Sequence, residues 1–334
     1  MNQRAMNVAL PSLSRVADSV YWLGRYIERA ENVARYIEVN LNLQMDLPLS
    51  PQHQWQPLID ISGETEDFQK RYGLAGQGNV IHYLAYDTEN PNSIISCLRF
   101  ARENARSVRE TISSEMWTQV NSMYLQIQSQ NTTPEPERLL DTFREIRLGS
   151  HLFQGVTDAT MTHNEAWHFL RLGRKLERAD KTSRILDVKY FMLLPSPQDV
   201  GTPIDDIHWS AVLKSVSGFE MYRKKYGRIT PREVVDFLVM DRDFPRAVHY
   251  CICCANESLH AITGTAIGYF QYRSEQLMGQ LASDLDYAST DAVINGGLHE
   301  YLDGLQGKMN VIDTAMREDF IARKKKNQTQ SQSQ

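Results

Sequence analysis

The chain has 334 residues, a formal net charge of −5 and a pI near 6.0, so no overall basic excess is present to hold a nucleic-acid backbone by counterion release. Hydrophobic residues at 42% and aromatics at 9% describe an ordinary globular protein, long enough for about two domains or one elongated helical unit. No stretch reaches the ~18 consecutive apolar residues of a membrane span, and the opening MNQRAMNVALPSL is too weakly apolar for a secretory signal. The expected setting is cytoplasmic, with neither nucleic acid nor membrane as partner.

Helical spacing dominates from end to end and sustained alternation is absent, which predicts an all-α bundle of nine or ten helices. The first helix is expected from Ser12 or Ser14 to about Asn42. Its apolar stripe is Val20, Leu23, Ile27, Ala30, Ala34, Ile37 and Leu41; Tyr21, Arg25, Glu28, Arg29, Asn32 and Arg35 fall opposite. Residues 47 to 92, richer in Pro, Gln, Gly and Asn, predict short helices and loops. One long helix follows from Asn92 or Ser93 after Pro91, carrying IISCLRFARENARSVRETISSEMWTQVNSMYLQI. The segment SQNTTPEPE (129–137) reads as a hinge, dividing possible halves 12–128 and 138–322.

Leu139 to Asp158 reads as the next helix. Thr162 or His163 is placed to cap another that ends by Leu194. PSPQDVGTPIDD (195–206) is the clearest loop, and Ile207 to Tyr226 reads as one helix ended by Gly227. Thr230, Pro231 and Glu233 supply a capping box. Further helices are expected after Pro245, from Ser274 to Leu285 and from Ala292 to Arg323. Residues 1–11 form an N-terminal extension, and RKKKNQTQSQSQ (323–334) lacks the apolar residues to order itself.

The strongest internal signal is a repeated sentence. LGRYIERAENVAR at 23–35 and LGRKLERADKTSR at 172–184 align at an offset of 172 − 23 = 149, and they agree better on their charged side than on their apolar one. A solvated face tolerates substitution, so this agreement points to a shared Arg/Glu-rich cleft between the halves, against the plainer reading of surface ion pairs. The forks of Arg25, Arg29, Arg35, Arg174, Arg178 and Arg184 suit two-point binding of carboxylate or phosphate. Glu28 and Glu177, the only candidates for a catalytic role, should stay ionised beside them.

Arg102, Glu103 and Arg106 form a looser third stripe with Arg99, Asn104 and Arg109. His163, Glu165 and His168 precede the second sentence at a spacing unsuited to a two-histidine zinc helix, so His163 reads as a cap or a cleft contact. Cys97 stands alone and Cys251, Cys253 and Cys254 crowd one stretch, which reads as buried reduced thiols and not as a metal cage. Arg246, with Glu220, Tyr222, Arg223, Asp241 and Arg242, reads as helix caps and surface pairs. No metal and no cofactor is expected.

Taken in order, SRVADSVYWLGRYIERAENVAR, ARENARSVRETIS followed by EMW, MTHNEAWHFLRLGRKLERAD, SGFEMYRKKYG and DFPRAVHYC closely resemble the bacterial alpha-E domain family over about residues 12–322. The resemblance implies an all-helical protein encoded beside, or fused to, a circularly permuted ATP-grasp protein and near a transglutaminase-like protease, in a peptide- or amide-forming system. The family supplies no assigned catalytic residues. The resulting expectation is an accessory subunit holding an anionic peptide or phosphorylated intermediate for an ATP-grasp ligase. The alternatives are a stand-alone hydrolase or transferase using Glu28 or Glu177, and a helical scaffold whose charges stitch helices together.

Overall fold

The computed structural model describes residues 14–46, 51–130, 136–192 and 203–322, and among these the chain forms fifteen α-helices and no strand. The all-α expectation stands. The helix number exceeds nine or ten because the 47–92 stretch alone holds three short helices and because three expected helices are each broken. The stretch 94–127 divides into α5 (Ile94–Ser107) and α6 (Ser114–Ser129), because Ser113 accepts the Met116 amide at 3.1 Å and restarts the helix. The stretch 207–226 divides at Ser217, a non-glycine residue with φ 50°, into α9 (Pro203–Ser215) and α10 (Phe219–Tyr226). The stretch 292–323 divides at Gly297, φ 100°, into α14 (Thr290–Asn295) and α15 (Leu298–Met316).

The remaining helices are α1 (Ser14–Asp46), α2 (Pro51–Ser62), α3 (Thr65–Tyr72), α4 (Gln77–Ile81), α7 (Pro136–Thr160), α8 (Glu165–Met192), α11 (Pro231–Val235), α12 (Val248–Thr263) and α13 (Arg273–Tyr287). Asn164, not Thr162 or His163, caps α8, accepting the Ala166 amide at 3.1 Å. Pro203 to Asp206, expected in a loop, already form the first turn of α9. The Thr230 side chain accepts the Glu233 amide at 3.3 Å and Pro231 opens α11 as read, but the box is half made, because the Thr230 amide donates to the Tyr222 hydroxyl at 3.1 Å. The extension 1–11, the tail 323–334 and most of the 129–137 hinge lie outside the described residues.

Helices α1 and α8 cross at the centre. Around them α1 packs on α5 and α7, and α8 packs on α12 and α15. Further features recur in the same order in the two regions. Trp55 and Trp209 lie in α2 and α9, and Gly73 and Gly227 end α3 and α10. Both α4 and α11 widen into a π turn, at His82–Tyr86 and Asp236–Met240. Pro91 and Pro245 precede α5 and α12, whose Cys97 and Cys251 thiols face those proline carbonyls at 3.9 and 3.4 Å. Each of these pairs is spaced by 251 − 97 = 154 residues.

Helix α1 is not amphipathic in the expected sense. Its apolar stripe is buried from Val20 to Ile37, but so are Tyr21, Glu28, Glu31, Asn32 and Arg35 on the other side, because α8 and α7 pack on the helix as well as α5 and Arg246 reaches Glu28 and Glu31 from the segment before α12.

Candidate functional site

The α1/α8 crossing is set by Gly24 and Gly173. A Cβ on Gly24 would lie 2.4 Å from the Leu170 carbonyl oxygen, and one on Gly173 would lie 2.3 Å from that of Tyr21. Only glycine lets the two backbones touch. The contact is reciprocal at the repeat offset, since 173 − 24 and 170 − 21 both equal 149.

This closeness lets the two Glu-Arg pairs exchange partners. Arg29 donates from Nε to Glu177 Oε1 at 2.6 Å and from Nη2 to Oε2 at 2.9 Å. Arg178 does the same to Glu28, at 2.8 Å from Nε to Oε1 and 2.7 Å from Nη2 to Oε2. Both are two-point forks, the strongest geometry available to this pair of groups. Neither glutamate has any exposed surface, and two unpaired buried carboxylates would unfold the crossing.

Each fork sits in a larger cluster. Around Glu177, Arg25 Nε donates at 2.8 Å, and its Nη1 reaches Asp313 on α15 at 2.7 Å. Lys181 lies 3.7 Å from Glu177 and 3.2 Å from Asp180, which also accepts from Arg184 at 3.0 Å. Arg29 also donates to Asn92, which in turn donates to Glu64 at 2.7 Å. Around Glu28, Arg246 Nη1 donates at 3.1 Å and Asn32 Nδ2 at 3.1 Å. Arg246 continues to Glu31, which also accepts from Arg35 and lies 3.2 Å from His151 Nε2. Arg35 ends on the Ser217 hydroxyl.

Burial alone would raise these carboxyl pKa values, but the surrounding cations outweigh it. Arg29, Arg25 and Lys181 hold Glu177 well below the usual range, Arg246, His151 and Arg35 hold Glu31 there, and Arg178 and Arg246 keep Glu28 below it. Such groups are permanent anions, poor as proton donors or acceptors at neutral pH. Burial and Arg246 push Arg35 down to about 10, only partly opposed by Glu31. Arg174, at the place matching Arg25, has a buried Nε without a partner and a pKa lowered by burial and by Arg178.

Both sets of sequence candidates therefore meet, but in a buried ionic knot and not along an open cleft. Arg25, Glu28, Arg29, Asn32, Arg35, Glu177, Arg178 and Arg184 belong to it. The recess beside Arg29, Tyr36, Ser62, Asn92 and Lys181 measures about 20 Å³, room for a water-sized group. Arg102, Glu103, Arg106 and His163 are engaged elsewhere. Arg102 donates to Asn121 at 2.7 Å and covers Trp117 and Tyr124, while Arg106 pairs with exposed Glu103. His163 stacks on Trp167 with ring centroids 4.1 Å apart. Glu165 stands in the first turn of α8.

Sequence reasoning misplaced Arg246, which is 6% exposed and central to the Glu28 cluster. The signal that could have found it is the second register, in which Pro91 and Cys97 match Pro245 and Cys251 and so carry Arg246 onto Asn92 beside Arg29. The cysteines are free thiols, buried at Cys97, Cys251 and Cys254 and half-buried at Cys253.

Uncharacterized proteins of Mycobacterium bovis and Mycobacterium tuberculosis H37Rv are each 21% identical to the chain over 262 residues, 72% of this chain and 29% of theirs. The chain thus spans less than a third of the length of these curated relatives. No solved structure matches it. The profile of Alpha-E, a predicted alpha-helical domain with a conserved ER motif, matches residues 13–321. Glu28-Arg29 and Glu177-Arg178, the pairs that trade partners across the crossing, are ER pairs of this kind, and the chain belongs to the Alpha-E family.

Proposed function

We propose that the chain is an accessory subunit of a peptide- or amide-forming system, built from two copies of one helical unit, in which a circularly permuted ATP-grasp partner performs the chemistry. The observation that carries this reading is the internal compensation of the ER clusters. Glu28, Glu31 and Glu177 are each fully buried and each bound to at least two cations of the chain itself. The clusters act as a clamp that fixes the relative placement of the two units, and through it the surface offered to the ligase. A stand-alone enzyme with Glu28 or Glu177 as base is disfavoured, because neither carboxylate touches solvent and both are held ionised. Holding of an anionic peptide by Arg29 or Arg178 is disfavoured too, since both forks are occupied.

The test combines a pulldown of the ATP-grasp protein encoded beside an alpha-E gene with an ATP-consumption assay, with and without this chain. Association together with altered turnover is expected. No association and unchanged turnover would remove the accessory reading. An activity of the purified chain alone, lost in Glu177→Gln at unchanged melting temperature, would replace it with the enzyme reading.

A further inference from the structure

The arginine stripe of α5 takes no part in the ER clusters. Ile94, Leu98, Ala101 and Ala105 hold the buried face of this helix. On its outer side Arg99 and Arg106 are exposed and Arg102 is half-buried, and exposed Arg109 stands in the turn that follows. From Arg99 to Arg106 the stripe covers two helical turns, about 10 Å. Helix α12 matches α5 at the spacing of 154 residues, and the buried face is kept there, with Cys97 and Ala101 meeting Cys251 and Ala255. The four arginines meet Cys253, Asn256, His260 and Thr263 instead. A helix in this place therefore packs without them.

Three of the four lie on rings. Arg99 lies over Phe100 at 4.9 Å, Arg102 over Tyr124 at 5.3 Å and Trp117 at 5.8 Å, and Arg109 over the same Trp117 at 4.8 Å. Asn121 pins Arg102 further, accepting from its Nε at 2.7 Å. A guanidinium laid on a ring keeps N–H edges for a carboxylate while its long side chain is already fixed, so less freedom is lost on binding. The chain's own carboxylates leave those edges largely open. Glu103 meets Arg102 at 3.4 Å and Arg106 at 2.9 Å, but 45% of its side chain is exposed, and such solvated pairs are weak. Glu110 and Glu115, exposed nearby in the sequence, pair with none of the four among the described residues. Arg99 and Arg109 form no hydrogen bond or ion pair among the described residues.

We propose that this ring-backed stripe docks an acidic segment of a partner protein. Four cations meet one bonded carboxylate, on a chain whose net charge is −5, and their forks offer two-point contacts to glutamate or aspartate side chains. The half-buried rings of Trp117 and Tyr124 offer apolar area to the residues between those carboxylates. The stripe stands apart from the ER clusters and asks nothing of the ATP-grasp partner, so a negative result here leaves that pairing standing.

The test is fluorescence anisotropy of the full chain with a rhodamine-labelled peptide of alternating glutamate and alanine, against one of alternating lysine and alanine. Net charge alone would favour the lysine peptide. The glutamate peptide is expected to bind and the lysine peptide not, with affinity falling as salt rises. Arg99→Gln with Arg109→Gln should weaken binding at least about tenfold at unchanged melting temperature, since neither side chain is paired. Arg223→Gln with Arg242→Gln, the same change of charge at exposed positions elsewhere, should leave binding unchanged. No binding of the glutamate peptide, equal binding to the Arg99 and Arg109 double variant, or an equal loss in the control variant overturns the proposal. Tighter binding of a single-stranded oligonucleotide of equal charge at the same arginines would assign the stripe to nucleic acid, and sedimentation with phosphatidylserine vesicles that requires Arg99 and Arg109 would assign it to a lipid surface. Either result also overturns the proposal.

Discussion

At the Glu28 cluster the additional cation is Arg246, from the head of α12, and the residue of α1 beside it is the amide Asn32. At the Glu177 cluster the head of α5 carries an amide, Asn92, and α8 supplies the cation, Lys181, at the position matching Asn32. Cation and amide have changed places between the two regions. The comparison teaches that a buried carboxylate must be met by cations, because each uncompensated charge is costly in a dry interior, while the helix that provides them, and their number, two at Glu28 and three at Glu177, are free to vary.

The largest way to break the comparison is to remove a carboxylate. Glu28→Gln takes the fork partner from Arg178 and leaves Arg246 with Glu31 alone, and Glu177→Gln takes the fork partner from Arg29 and leaves Arg25 with Asp313 alone. Each should lower stability by roughly 3–5 kcal/mol, read as a drop in urea midpoint at constant slope; a drop in only one variant would mean that the clusters are not equivalent.

Next in size is the crossing itself. Gly173→Ala presses a methyl into the Tyr21 carbonyl and should be destabilising by about 2–3 kcal/mol, with Gly24→Ala close to it. The exchange of cation and amide gives a finer test. Lys181→Asn should destabilise by about 1–2 kcal/mol, and adding Asn92→Arg, which copies the Glu28 arrangement, should restore part of that loss. Thermal melts of the single and double variants check this, and further loss in the double variant would sink the equivalence.

The smallest effect concerns Lys175, where α8 carries an amine at the position of Tyr26 in α1. It is 5% exposed, lies over the Tyr250 ring at 4.5 Å and forms no ion pair among the described residues. Burial, with Arg178 adding and the Cys251 thiol opposing, pushes its pKa down to about 8. Between about 8 and the unfolded value near 10.4, the unfolded chain holds a proton that the folded one lacks, so stability rises with pH there. Lys175→Met should stabilise the protein by about 1 kcal/mol at pH 7 and flatten that rise; denaturation at pH 7 and 9.5 would show an equal gain at both if the amine carried no penalty.

The fold class was legible because helical spacing is continuous, and the ER pairs were legible because they repeat. The partner exchange was not. Charged residues on one face of a helix read as solvated unless something says what covers them, and the covering helices α7 and α12 are distant in sequence. Glycine in LGR held the clue, since a glycine mid-helix at matching places in both copies marks close backbone approach. Arg246 stayed hidden because its match to Asn92 runs in a register five residues away from that of the repeated sentence, 154 against 149. His151 and Asp313 lie in segments without an obvious counterpart string, so no pattern pointed to them.

The reciprocity of Glu28 with Arg178 and Glu177 with Arg29 also sets an order of events during synthesis. Each fork joins residues about 150 positions apart, so α1 leaves the ribosome with Arg29 and Glu28 lacking their fork partners and stays so until α8 has followed. Arg246 and Asp313 arrive later still. The nascent first region therefore carries a charged face that resists premature collapse, and the central crossing closes only when most of the chain has been made.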